Sequence, residues 1–180
     1  MNTSPGLRRL IHTAHITTSV GWLGAVIAYL ALDLVATAGQ DMARVRAAFV
    51  GMEAIISYVI VPLALASVLI GIVNALSAPW GLFDHYWVVV KLVLSLFAVT
   101  ILLLEVQNVR YMADVAAAGA DARSLPGSLP HSIGGLIVLL VITILSVFKP
   151  QGMTRYGWRK QRQRRISQPR TSDVARGAEN

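Results

Sequence analysis

Cysteine is absent from this 180-residue chain. That excludes disulfides, thiolate metal sites and covalent haem attachment through paired thiols. Charge is scarce too, at 14% of residues against roughly 25% in an ordinary soluble domain. Acidic groups are the scarcer sign, nine against sixteen Lys and Arg. So little charge on so long a chain argues against a soluble globular domain.

Apolar residues fill the gap, at 55% of the chain with a mean hydropathy of +0.60. Four apolar runs, residues 10–32, 54–78, 86–104 and 133–148, approach the roughly 20 residues that cross a bilayer as a helix. The expectation is an all-α, polytopic membrane protein: a four-transmembrane-helix bundle over residues 1–150, with helices at about 10–32, 53–76, 86–107 and 131–149. The first run competes with a secretory signal peptide, since Arg8 and Arg9 precede it and Ala36-Thr37-Ala38 resembles a cleavage site. Its length exceeds the core of roughly 7–15 residues in a signal peptide, which favours an uncleaved anchor helix.

The net charge of +7 is concentrated at the two ends. Arg8, Arg9, Lys149 and the eight basic residues beyond it make eleven of the sixteen Lys and Arg. With four crossings both ends share one side, and the positive-inside bias makes that side the cytoplasm, here of a bacterial inner membrane. Residues 151–180 read as a basic, mostly disordered tail. Its place right after a span suits anionic lipid headgroups and argues against nucleic acid.

Punctuation supports this organisation. Gly39 breaks the chain after the first helix, and residues 41–50 read as a short helical lead-in to the second. Pro62 lies inside that second helix and predicts a kink. Ala78-Pro79-Trp80-Gly81 reads as a tight turn, and residues 108–130 as the longest loop. Lys149-Pro150 stops the fourth helix, and small residues such as Gly21, Ala25 and Ala28 allow close helix packing. No internal repeat is visible.

The candidate chemistry centres on His15. It lies in an apolar run whose only other histidine or charged residue is His12. Titratable groups inside a span are costly and usually face a bundle interior, a cofactor or a proton path. At 100° per residue Ser19, Trp22, Tyr29 and Asp33 fall within about 40° of it on one helical face. The topology places His15 and Lys91 at similar depth near the terminal side, with His12, Ser67 and Asn74 towards the same layer. His131, Asp33, Glu53 and Glu105 belong to the opposite side. His15 reads either as a core histidine bonded to a neighbouring helix or as an axial ligand to haem. Lys91 has a plain reading as a side chain snorkelling to the interface. His131 reads as an interfacial residue or a metal ligand.

The spacings His15-x6-Trp22-x-Gly24, Pro62-x4-Ser67-x3-Gly71, Trp87-x3-Lys91 and the closing Lys149-Pro150 resemble the small four-helix membrane proteins related to bacterial haem-containing protoporphyrinogen oxidases. The copper-resistance D-type membrane proteins belong to the same broad group. The segment Lys149-Pro150-Gln151-Gly152-Met153-Thr154-Arg155-Tyr156-Gly157 resembles an uncharacterised bacterial family of integral membrane proteins, the closer kin. The oxidase resemblance implies haem b on His15 and a required lysine at Lys91. If His15 and Lys91 share a pocket, Trp22 and Ser67 are expected to converge around it, with His12 in the same cluster and Arg8 or Arg9 meeting the haem propionates at its edge. The oxidases carry a Pro-Arg pair where this chain has Leu30-Ala31, and an Asn-Glu pair where it has His131-Ser132. The resemblance therefore covers the haem corner and not the substrate-handling groups.

Three functions remain open from the sequence. One is a haem b protein for electron transfer or oxidation, enzymatic or not. Another is a copper-handling or transport-associated protein using Met52, Met112 and His131, since thioether and imidazole suit Cu(I). The last is a cofactor-free accessory subunit, partnered by a second copy or another membrane protein.

Overall fold

The computed structural model describes residues 4–77, 82–119, 127–150 and 152–167. It contains no strand among the described residues, only one antiparallel bridge between His85 and Met153. The helices are α1 (Pro5–Ala38), α2 (Met42–Ser77), α3 (Tyr86–Ala117), α4 (Leu129–Phe148) and α5 (Arg155–Ser167). The first four are each long and apolar enough to cross a membrane.

Local signals explain the helix ends. Ser4 caps α1 by accepting from the Leu7 amide, and Pro5 follows at the first helical position, where its missing N–H costs nothing. Asp41 caps α2 through the Ala43 amide. At the end of α4, Lys149 turns left-handed (φ 42°) and its amide bonds the Leu145 carbonyl; Pro150 prevents continuation.

α1, α2 and α3 outrun the apolar stretches. Hydropathy marks the length that lipid surrounds, whereas backbone hydrogen bonding continues into polar ends such as residues 107–117. Residues 41–50 are thus the first turns of α2 itself, and residues 108–117 extend α3 instead of opening a loop. The distortion expected at Pro62 takes the form of a π turn over Ile56–Ile60. Proline cannot donate to the carbonyl four residues back, and the wider turn upstream accommodates that missing bond. The tail differs from expectation as well: α5 gives regular structure to residues that composition alone marks as unstructured. The turn at residues 78–81 and the tail beyond residue 167 lie outside the described residues.

The four long helices form a ring in chain order. α1 packs on α2 and α4, and α3 packs on the same two. The apolar core is concentrated at the end away from the chain termini, where Tyr29, Val45, Phe49, Met52, Ile56, Val109 and Met112 interlock. Outward faces carry exposed Leu, Val and Phe, among them Leu10, Val20, Leu69, Leu104 and Phe148, as a surface solvated by lipid tails would. The other end of the bundle is packed less fully, and a cavity opens there.

Candidate functional site: a cationic cavity at the terminal end of the bundle

Side chains from α1 to α4 line a half-open cavity of about 830 Å³. That lies in the upper part of the range of cofactor and ligand pockets, roughly 300–1,000 Å³. Apolar walls come from residues such as Leu23, Val68, Leu92 and Leu139, with Trp22 and Trp87 adding aromatic faces. The polar groups are hydroxyls, Asn74 and bases: Arg8, Arg9, His12, His15, Lys91 and Lys149. Among the described residues no Asp or Glu lines it. A cavity with cations only, backed by apolar walls, favours an anionic amphipathic ligand.

The residues singled out from the sequence largely meet here. His15, Lys91, His12, Trp22 and Ser67 all line the same cavity. Trp22 and Ser67 are buried, while His15 and Lys91 are half-buried. The helical face that predicted this is real: Trp22, Tyr29 and Asp33, on the His15 side of α1, are all buried.

His15 is held through its backbone and crowded at its ring. The Ser19 hydroxyl donates to the His15 carbonyl at 2.8 Å and lies 2.8 Å from Ser67 Oγ. Because Ser19 has one proton, directed at that carbonyl, Ser67 donates to Ser19 and ties α2 to α1. The imidazole lies against Gly71, where an added Cβ would sit 2.8 Å from His15 Cε1. Its Nδ1 is buried with no hydrogen-bond partner. Nearby, Asn74 Nδ2 is 3.5 Å from His12 Nδ1, a long contact. Lys91 Nζ stands 5.7 Å from the centre of the Trp87 ring, a cation–π arrangement that holds its charge over an aromatic wall.

A haem group can be tested against these residues. One imidazole has an unengaged nitrogen, Nδ1, while the ring also interacts with the Ser67 backbone. Gly71 leaves room for the imidazole itself, which any other residue would crowd. The cations suit propionate carboxylates, and the walls suit a macrocycle. The donor set fits.

His131 is placed elsewhere. It begins α4 at the opposite end, exposed, with Nδ1 3.6 Å from Glu105 Oε1. Met52 and Met112 are buried in the apolar core, so the three do not line one open surface. Among the described residues no group of three or more His, Cys, Asp or Glu is arranged to hold a metal ion.

Two features escaped the sequence reading. Lys149, read only as a helix stop, contributes to the cavity wall. Ser128 and Ser132 meet Asp33 at the far end of the bundle; their four-residue spacing was the available signal.

No family model, curated protein or solved structure matches this chain.

Proposed function

We propose that this protein is a multi-pass protein of a bacterial inner membrane, with both termini cytoplasmic, that binds haem b in the cavity and serves in electron transfer or oxidation. The observation that carries the reading is the cavity itself, which combines apolar walls, an imidazole with an unpartnered nitrogen and a lining charged only with bases. His15 is the ligand to the iron. Arg8, Arg9 and Lys149 hold the carboxylates. Lys91, over the Trp87 ring, adds positive charge inside the cavity, and Ser67 fixes α2 against α1 so that Gly71 faces the imidazole. Bound there, haem b supplies a one-electron carrier. The chain's own residues line the cavity around it and set its charge environment.

The tail completes the cytoplasmic reading. α5 presents Arg155, Arg159 and Arg162 together with Trp158 and Ile166, all exposed, a composition suited to anionic headgroups at an interface.

The deciding experiment is an absorption spectrum of the full chain purified from a haem-sufficient bacterial host. A Soret band in the wild type, lost in His15→Ala at unchanged protein yield, is the expected result. A colourless wild type that also fails to take up added haemin would favour a cofactor-free accessory subunit instead.

A further inference from the structure

At the far end of the bundle a buried carboxylate has no counter-charge among the described residues. Asp33 lies on α1, about 27 Å along the axis from His15 at 1.5 Å per residue, and is 0% exposed. Two four-residue pairs on facing helices surround it, Tyr29 with Asp33 on α1 and Ser128 with Ser132 at the start of α4. That spacing sets each pair on one helical face. Ser128 and Ser132 donate to Asp33 Oδ2 at 2.9 and 2.8 Å. Tyr29 OH lies 3.0 Å from Ser128 Oγ, and since the Ser128 proton is directed at Asp33, the phenol donates to Ser128.

All of these protons converge on Oδ2 or on the hydroxyl that serves it. The second oxygen, Oδ1, is buried and accepts no hydrogen bond. The described basic groups of this end are engaged by other partners: Arg44 with Asp41, Arg110 with Glu53, His131 with Glu105, and Arg46 with the Gly119 carbonyl. Glu105 lies close enough to interact electrostatically with Tyr29, which adds negative potential to the layer. The start of α4 offers the partial positive charge of a helix N-terminus, less than one unit, and it leaves Oδ1 unmet. An ionisable group at such depth calls for a partner, and a buried acceptor without one calls for a missing ligand.

We propose that Asp33, with Ser128, Ser132 and Tyr29, forms a binding site for a small hard monovalent cation, sodium or lithium among the alkali ions. One carboxylate neutralises one positive charge, whereas divalent ions take several carboxylates or keep water. Oδ1 anchors the ion, and the hydroxyl oxygens retain lone pairs to complete an all-oxygen shell. These oxygens already pack at hydrogen-bond distances of 2.8–3.0 Å, so only a small ion can be admitted beside Oδ1 and potassium is disfavoured. The bound ion ties the start of α4 to α1. This site is separate from the haem cavity and does not depend on it.

The test is thermal unfolding of the full-length protein in detergent, at fixed pH and ionic strength, with N-methylglucamine chloride replaced stepwise by sodium, lithium or potassium chloride. The expected result is a saturable rise of several degrees in Tm with sodium or lithium, weaker with potassium and absent in Asp33→Asn. Ser132→Ala keeps the carboxylate and should shift the sodium dependence to higher concentration, which preserves the test where Asp33→Asn does not fold. A flat wild-type response to all three ions, as an ordered water or a bound proton at Oδ1 would give, overturns the proposal. So does an equal rise in Asp33→Asn, or in Ser132→Ala with an unshifted midpoint.

Discussion

The imidazole of His15 and the α-carbon of Gly71 face each other so closely that a methyl group on residue 71 would stand 2.8 Å from Cε1 and 3.3 Å from Nδ1. The packing of α1 on α2 at this level thus depends on an absent side chain. The atoms in conflict are the end of a flexible side chain and not backbone.

Gly71→Ala is therefore expected to move the His15 ring and leave the bundle folded. Alanine gains roughly 0.8–1 kcal/mol of helix propensity over glycine, which offsets the local crowding. Thermal stability should change by less than about 1 kcal/mol, while any Soret band should shift or lose intensity severalfold. A large loss of folded protein with an unchanged spectrum would mean that Gly71 serves packing alone.

Ser67→Ala removes the hydroxyl that donates to Ser19. Interhelical hydrogen bonds in membrane proteins average about 0.6 kcal/mol and reach roughly 1.7 kcal/mol, so the expected cost lies in that range. The double variant with Ser19→Ala should cost little more than either single change, because both remove one bond. Unfolding of the purified variants in mixed micelles measures both. Additive losses would show that the two hydroxyls act separately.

Much of this arrangement was legible in the sequence because helical periodicity alone carries it. The 100° step put His15, Trp22, Tyr29 and Asp33 on one face, and three of the four are buried. Charge counting placed Lys91 at the depth of His15, and both line one cavity. Other features depend on contacts between segments far apart in the chain. The approach of Gly71 to His15 needs the rotation of α2 about its axis, which the π turn at Ile56–Ile60 helps set. Composition reads α5 as a solvated tail, because its anchors come from the distant loop at Phe83 and Asp84. The carboxylate of Asp33 finds Ser128 and Ser132 only when α4 closes the ring onto α1.

The α5 anchor can be dissected. The Thr154 hydroxyl donates to the Phe83 carbonyl at 2.6 Å, and Lys160 Nζ lies 2.9 Å from Asp84 Oδ2. Gly157 packs on the Asp84 backbone, where an added Cβ would collide with the carbonyl oxygen. Asp84→Asn removes only the ion pair, so it should raise tryptic cleavage after Arg159 and Arg162 modestly. Gly157→Ala forces the helix away from rigid backbone and should raise it more. Equal and unchanged cleavage in both variants would mean that this anchor does not protect the tail.

The sidedness of the bundle yields the last prediction. Arg8 and Arg9 at the start of α1 and Lys149 at the end of α4 line one cavity, so the first and fourth helices begin and end at the same end of the bundle. Four crossings require that relation, and it gathers the basic residues of both chain ends on one side. Translocating such a cluster against the membrane potential is unfavourable, which is the physical root of the positive-inside bias. A phosphatase reporter active only outside the cytoplasm, fused after Asn180, should therefore be silent, and the same reporter inserted after Gly119 should be active. Replacing Arg8, Arg9, Arg155, Arg159 and Arg162 with Gln removes part of the bias, and a fraction of the chains should then invert. The reverse reporter pattern in the wild type would place the cationic cavity on the outer side and Asp33 on the cytoplasmic one.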